Sequence, residues 1–146
     1  MVDRILVGTD GSEAATQAVA YALNVAEATN GTLHALTVIS PNGSSQRFGV
    51  DTVEAIDDAA EALGEELNAL RRGRAIEIVG DVRRGQPSDI LLEYAREENI
   101  DLIILGKHGH GGFVDRLLGS TAERLTRQTD IPVLLVPREA TRSEVE

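Results

Sequence analysis

The sequence predicts an α/β protein in which one open, parallel, five-stranded sheet carries helices on both faces. Short apolar runs alternate with longer amphipathic stretches, in the order β-α-β-α-β-α-β-α-β. The run at 102–105 is apolar at every position, which is typical of a central strand buried on both faces. Aromatic residues make up only 3% of the chain, so aliphatic side chains and alanine must fill the core. The length of 146 residues fits one domain, expected at 1–138, before a polar tail at 139–146.

The first half of the chain is expected to form two strands and two helices, at 5–7, 13–29, 32–39 and 51–70. Ser12 is a suitable N-cap for the first helix, and Gly31 is suited to the left-handed position after its end. The second helix has an apolar residue at every third or fourth position, which predicts one buried stripe. Its members are Val53, Ile56, Ala60, Leu63, Leu67 and Leu70.

The second half is expected to form three more strands, at 75–82, 102–105 and 131–137. One helix is predicted to start at 85–87, with Pro87 near its first turn, where proline is favoured, and another near Gly119. Five strands in this pattern commonly take the order 3-2-1-4-5 or 2-1-3-4-5. The periodicity alone does not separate these two orders.

The charge and composition exclude several classes of function. The net charge is −10, from 14 basic and 24 acidic residues, so the chain is unsuited to a nucleic-acid backbone or an anionic membrane surface. It has no cysteine, which excludes disulfides, thiolate catalysis and cysteine-type zinc sites. No apolar stretch approaches the ~20 residues of a membrane span. We expect a cytoplasmic protein with neither nucleic acid nor membrane as partner.

Two strand-to-helix turns carry the candidate chemistry. The first is Thr9-Asp10-Gly11-Ser12, and the second is a glycine-rich stretch, 106–112, that leads to residues 119–121. Glycines let a backbone approach a ligand closely, and a helix that begins near Gly119 would offer free amides to an anion. In the order 3-2-1-4-5 the two turns would face each other across one cleft. A flexible turn without a ligand is the alternative interpretation of such glycines.

A longer pattern distinguishes these interpretations. The spacing Gly106-x2-Gly109-x9-Gly119-Ser120 resembles the G-2x-G-9x-G-[ST] ATP-binding motif of the universal stress protein family. Other segments resemble this family in the same order along the chain, namely 2–12, 85–87, 101–106 and 131–136. The resemblance implies a Rossmann-like fold of the adenine nucleotide alpha hydrolase type, with strand order 3-2-1-4-5. It also implies ATP as the ligand, together with Mg²⁺.

The resemblance further implies which residues contact the nucleotide. Asp10 would lie near the ribose or a phosphate-bound metal, and Val38 would contact the adenine through its backbone. Leu105 would form part of the adenine floor, whereas the roles of Lys107 and His108 stay open. The full set of implied contacts is Thr9, Asp10, Gly11, Val38, Leu105, Gly106, Gly109, His110, Gly119, Ser120 and Thr121.

The sequence of the last strand predicts that a second copy of the chain pairs with it. An apolar edge strand is an aggregation hazard unless something covers it, and the family dimerises through this strand. We therefore expect a homodimer through Pro132, Val133, Leu134, Leu135 and Val136.

The expected function is that of an ATP-binding stress or regulatory protein. The alternative is a slow Mg-dependent ATPase or nucleotidyl-transfer enzyme, and the sequence leaves open whether ATP is hydrolysed or AMP preferred. His34 is interpreted as a structural residue of the second strand. His108 and His110 lack a clear third ligand, so a metal site there is disfavoured.

Overall fold

The computed structural model describes residues 2–40, 52–106 and 114–137. These residues form strands β1 (Arg4–Gly8), β2 (Thr32–Ile39), β3 (Glu77–Arg84), β4 (Leu102–Gly106) and β5 (Val133–Val136). They also form helices α1 (Glu13–Thr29), α2 (Thr52–Arg71), α3 (Pro87–Glu97) and α4 (Val114–Gln128). The predicted tail at 139–146 lies outside the described residues.

All strand pairs are parallel, in the order β3-β2-β1-β4-β5. This confirms the predicted fold class and the strand order that the family resemblance implies. The edge position predicted for the last strand is also confirmed, and Leu135 on β5 is 37% exposed. No helix within the described ranges is long and apolar enough to cross a membrane.

The core lies on both faces of the sheet. Ile5 and Val7 of β1 pack with α1 and α2 on one face. Leu6, between them, faces the other side and packs with α3 and with Leu125 of α4. Because neighbouring side chains on a strand point to opposite faces, a central strand between two helical layers must be apolar throughout.

The predicted capping of α1 is correct at its N-terminus and wrong at its C-terminus. The Ser12 hydroxyl accepts the Ala15 amide at 3.2 Å, which confirms the predicted N-cap. The prediction for Gly31 was wrong, because Asn30 takes the left-handed conformation instead, with φ of 58°. Asparagine tolerates this conformation, since its short polar side chain can bond locally. Close packing explains the glycine at position 31 instead, because a Cβ there would lie 2.8 Å from the Asp3 carbonyl oxygen.

The bounds of β3 and the buried side of α2 also differ from the prediction. Strand β3 begins at Glu77 rather than at residue 75 and continues to Arg84. On α2, Ala60 is exposed, whereas Ala55 and Ala59 are buried. Alanine occurs at several neighbouring positions of α2, so its apolar pattern alone did not define which of them face the sheet.

Helix α4 begins at Val114, and the prediction that it begins near Gly119 was wrong. Apolar residues continue at helical spacing from Val114 across Gly119 to Leu125, which favours one helix over the whole stretch. One interior glycine costs a helix only about 1 kcal/mol, which packing outweighs. Gly119 and Ser120 therefore lie inside α4. Their amides are not among the free amides of the helix N-terminus.

Candidate functional site

The carboxyl ends of β1 and β4 form the candidate site. The two strands are neighbours in the middle of the sheet, with Leu6 opposite Ile103 and Val7 opposite Ile104. Within the sheet, β1 has β2 as its neighbour in one direction and β4 as its neighbour in the other. The chain passes from β1 to β2, so the strand order reverses between β1 and β4. In open parallel sheets, ligands bind at such a switch point, beyond the carboxyl ends of the strands.

The β1–α1 turn is held by its own side chains. The Gly11 amide donates to Thr9 Oγ1 at 3.2 Å, and the Ser12 amide donates to Asp10 Oδ1 at 2.9 Å. Gly11 has a φ of +83°, a conformation that residues with a Cβ rarely adopt. Asp10 is exposed at the tip of the turn. The sequence correctly placed a turn here, and the structure adds its internal hydrogen bonds.

Thr9 is more strongly engaged within the protein than the sequence suggested. Its side chain is 6% exposed, and its hydroxyl lies 3.1 and 3.3 Å from the two carboxylate oxygens of Glu66 on α2. Its amide donates to the Leu36 carbonyl at 3.0 Å. Sequence reasoning missed Glu66, which occurs within an amphipathic helix 57 residues away along the chain.

The backbone of Val38 is directed toward the space beyond β1. The Leu36 carbonyl bonds toward β1, to the Thr9 amide, whereas the Ile39 carbonyl accepts at 3.0 Å from the residue after β3. Backbone polar groups alternate in direction along a strand, so Val38 directs its N–H and C=O to the same side as Leu36. Strand β1 ends at Gly8, opposite Leu36. The polar backbone groups of Val38 therefore face the candidate cleft.

A buried apolar cluster lies under this edge, on the α3 face of the sheet. Leu105 is 8% exposed and packs in one cluster with Leu36 and Leu91, against which Val38 also packs. A Cβ at Gly8 would lie 3.2 Å from the Leu105 side chain and 3.5 Å from that of Leu91. Of these side chains Val38 is the half-buried one, so a flat apolar group would lie against it with its polar edge at the backbone of β2.

Gly106 brings β4 against the start of α1. A Cβ at this position would lie 2.7 Å from the Ala14 carbonyl oxygen and 2.9 Å from its carbonyl carbon. Real Cβ atoms do not approach backbone so closely, so only glycine permits this packing. The predicted importance of Gly106 thus has a packing reason on the α1 face of the sheet.

Similarity to known proteins identifies the family of the chain. The model of the universal stress protein family matches residues 1–137. The chain belongs to the universal stress protein family.

Individual relatives extend this finding. Universal stress protein MJ0531 of Methanocaldococcus jannaschii is 28% identical over 139 residues, which covers 92% of this chain and 82% of that protein. Universal stress protein Rv2623 of Mycobacterium tuberculosis is 33% identical over 132 residues, which covers 90% of this chain but only 44% of that protein. The chain therefore spans less than half the length of its mycobacterial relative.

A solved structure shares the fold. A universal stress protein crystallised in complex with cAMP is 29% identical to this chain, with a TM-score of 0.68. The alignment covers 92% of this chain and 95% of that chain.

Part of the expected nucleotide site in this universal stress protein lies outside the described residues. This applies to Gly109 and His110, and equally to Lys107 and His108. For Gly119 and Ser120 the structure describes the helical backbone, and the next residue, Thr121, is half-buried. Contacts between these residues and phosphate remain predictions.

His34 belongs to a separate polar cluster on the α3 face. It is 6% exposed, and its Nδ1 lies 2.7 Å from the Tyr94 hydroxyl oxygen. Burial lowers the pKa of His34, and burial followed by the nearby Glu98 charge raises the pKa of Tyr94 to about 12. Both groups are thus neutral at pH 7. Arg83 packs on the Tyr94 ring, 4.7 Å from its centre. The structural interpretation of His34 agrees with this burial.

Metal ligands are not grouped in the described part of the chain. No three His, Cys, Asp or Glu side chains come together there as an all-protein metal site requires. Any metal that binds at these described residues would need further ligands from a bound molecule or from water.

Ser88, on the first turn of α3, is buried without a hydrogen-bond partner among the described residues. It is 1% exposed and begins the buried face that continues through Leu91 and Ala95. A buried hydroxyl without a partner costs about 1–3 kcal/mol relative to a hydrated one. The hydroxyl of Ser88 therefore does not stabilise the fold.

We expect Ser88→Ala to raise the free energy of unfolding by up to about 1 kcal/mol, because it removes that unpaired hydroxyl. Ser12→Ala is the matched control, since it deletes a hydroxyl that does accept an amide, and should cost about 1 kcal/mol. Urea unfolding of the two variants beside the wild type measures both. An equal loss of stability in both would contradict this prediction.

Proposed function

We propose that this universal stress protein binds an adenine nucleotide, ATP with Mg²⁺, at the carboxyl edge of β1 and β4. The proposal depends on one feature above all: the alternation of hydrogen bonds along β2 directs the N–H and C=O of Val38 past the end of β1, above a buried apolar cluster that includes Leu105. Adenine presents a ring nitrogen that accepts and an adjacent amino group that donates. A strand residue whose N–H and C=O both point into the cleft can pair with that edge.

Two further observations support an adenine ligand. The structurally similar universal stress protein is known in complex with cAMP, whose base is adenine. The glycine spacing from Gly106 to Ser120 also resembles the ATP-binding motif of the family. In this proposal Gly109 and His110 follow the ribose and phosphates, and Gly119, Ser120 and Thr121 lie at the phosphates.

The β1–α1 turn suits the sugar and the metal. Asp10 is exposed, and carboxylate oxygen is the kind of ligand that Mg²⁺ prefers. One carboxylate with several waters and phosphate oxygens is a usual coordination for this ion. The bound ion would neutralise charge on the phosphate oxygens, while the hydrogen bond from the Ser12 amide holds the Asp10 carboxylate in place.

The regulatory part of the proposal concerns the β5 edge. Strand β5 forms an edge of the sheet and exposes Leu135, and a second copy could pair with residues 132–136. Nucleotide occupancy at the neighbouring strand β4 would then tune the contacts of the dimer. The proposed unit is the domain at 1–138, and ATP as its ligand implies a cytoplasmic location.

The decisive experiment is mass spectrometry of the supernatant after the purified protein has been gently denatured. We expect an adenine nucleotide to copurify with it. Calorimetric titration of nucleotide-free protein should then give micromolar dissociation constants for ATP with Mg²⁺ and weaker binding of GTP. A protein that carries no nucleotide and binds none at millimolar concentration would contradict the proposal.

A variant of the proposed base contact makes this test specific. Val38→Pro removes the amide hydrogen that faces the cleft, but no hydrogen bond to β3, because that amide points toward β1. We expect at least tenfold weaker ATP binding, which corresponds to the loss of about 1.4 kcal/mol. Circular dichroism must show that the variant is folded, and unchanged affinity in a folded variant would exclude Val38 as the contact.

A further inference from the structure

Glu66 occupies an unusual position on α2. It lies on the side of the helix that carries Leu63 and Leu67, both of which pack in the core, and it is itself half-buried. Its neighbour Glu65 is exposed. Burying part of a carboxylate costs free energy unless hydrogen bonds compensate for the lost water. The contacts of Glu66 therefore require an explanation.

Two hydroxyl groups supply that compensation. Thr9 Oγ1 lies 3.1 Å from Glu66 Oε1, and Thr16 Oγ1 donates to Glu66 Oε2 at 3.0 Å. Thr9 belongs to the turn after β1, and Thr16 to the first turns of α1. The carboxylate thus joins α2 to both sides of the β1–α1 turn.

The direction of the Thr9 hydrogen bonds is determined by its partners. A hydroxyl has one proton, and an ionised carboxylate can only accept, so Thr9 donates to Glu66. The oxygen of Thr9 then has its lone pairs directed toward the Gly11 amide, which donates to it at 3.2 Å. Gly11 takes a left-handed conformation, and this hydrogen bond is one of the restraints on it.

We propose that Glu66 is a positioning residue that holds the β1–α1 turn in its ligand-binding conformation through the hydroxyl of Thr9. The inference rests on the proposed nucleotide site, because its consequence is the affinity of that site. Glu66 itself does not touch the nucleotide. Thr9, which the sequence placed beside the ligand, acts through the shape of the turn, since its hydroxyl and amide are both used within the protein.

Three substitutions together separate positioning from stability. Glu66→Leu extends the apolar side of α2 and removes the acceptor for both hydroxyls, so the fold is retained while the turn loses its restraint. Glu66→Gln keeps an oxygen that accepts from Thr9 and adds an amide that can donate to Thr16. Glu65→Leu changes the same charge at an exposed position on the next residue and is the matched control.

We expect ATP to bind about tenfold more weakly to Glu66→Leu, equivalent to about 1.4 kcal/mol. Glu66→Gln and Glu65→Leu should bind within about threefold of the wild type. The melting temperature of Glu66→Leu should fall by a few degrees, because the buried Thr9 hydroxyl loses its acceptor. Thr16→Val, which removes one of the two donors, should give a smaller loss and serves if Glu66→Leu does not fold. Calorimetric titration and thermal unfolding measure these quantities.

Amide exchange in the nucleotide-free protein provides a readout that does not depend on the ligand. The Gly11 amide should exchange faster in Glu66→Leu than in the wild type, and at the wild-type rate in Glu66→Gln. Unchanged Gly11 exchange in Glu66→Leu, or equal losses of affinity in the Leu and Gln variants, would overturn the inference. A wild type that binds no nucleotide contradicts the proposed function instead, while the exchange rates still test the positioning.

Discussion

Replacing Gly106 by alanine is expected to lower the free energy of unfolding by about 3 kcal/mol and to weaken nucleotide binding at least tenfold. The added Cβ would lie 2.7 Å from the Ala14 carbonyl oxygen. Backbone cannot rotate away as a flexible side chain can, so β4 and α1 must move apart. That movement displaces the end of β4 from the β1–α1 turn, and both border the proposed site.

Chemical unfolding and calorimetric titration of Gly106→Ala measure the two effects. Gly64→Ala is the matched control, because Gly64 is exposed within α2 and a Cβ there would meet nothing within 4 Å. Its expected effect is a gain of about 0.5–1 kcal/mol, since alanine favours a helix more than glycine does. A Gly106→Ala protein as stable as the wild type would show that the close packing of β4 on α1 is not required.

Tyr94→Ala is expected to destabilise the protein by about 4 kcal/mol, the usual range for removing a buried aromatic side chain. Tyr94 is 2% exposed and lies in the cluster that packs α3 on the sheet. The change also leaves His34 Nδ1 without its partner at 2.7 Å and removes the ring that Arg83 contacts. Each of these losses adds to the destabilisation that the cavity left by the ring causes.

The phenylalanine variant divides this loss into two parts. Tyr94→Phe keeps the ring and the Arg83 contact but removes the hydroxyl from His34, so we expect a loss of about 1–2 kcal/mol. Tyr21→Ala is the control for aromatic side chains, because Tyr21 is 46% exposed on α1, and it should change stability by less than about 1 kcal/mol. Guanidinium unfolding of the three variants gives these values. Equal losses in Tyr94→Ala and Tyr94→Phe would show that the ring itself contributes nothing.

The two turns of the candidate site could be placed from the sequence because each follows an apolar strand directly. Asp10 and Gly11 follow an apolar strand directly, and Gly106 follows another, so their place at strand ends could be predicted from local pattern. Glu66 could not be recognised in this way. It is one of several acidic residues on α2, and only packing of that helix against the β1–α1 turn distinguishes it from Glu65.

Periodicity and turn chemistry by themselves determined the alternation of strands and helices, the bounds of α1 and β2, and the Ser12 cap. These features depend on interactions between residues a few positions apart, which a single sequence displays directly. Tertiary packing decided which alanines of α2 are buried and why Gly106 must lack a Cβ. It also decided the direction of the Val38 backbone and the role of Glu66, because each depends on contacts between segments that are distant in the chain.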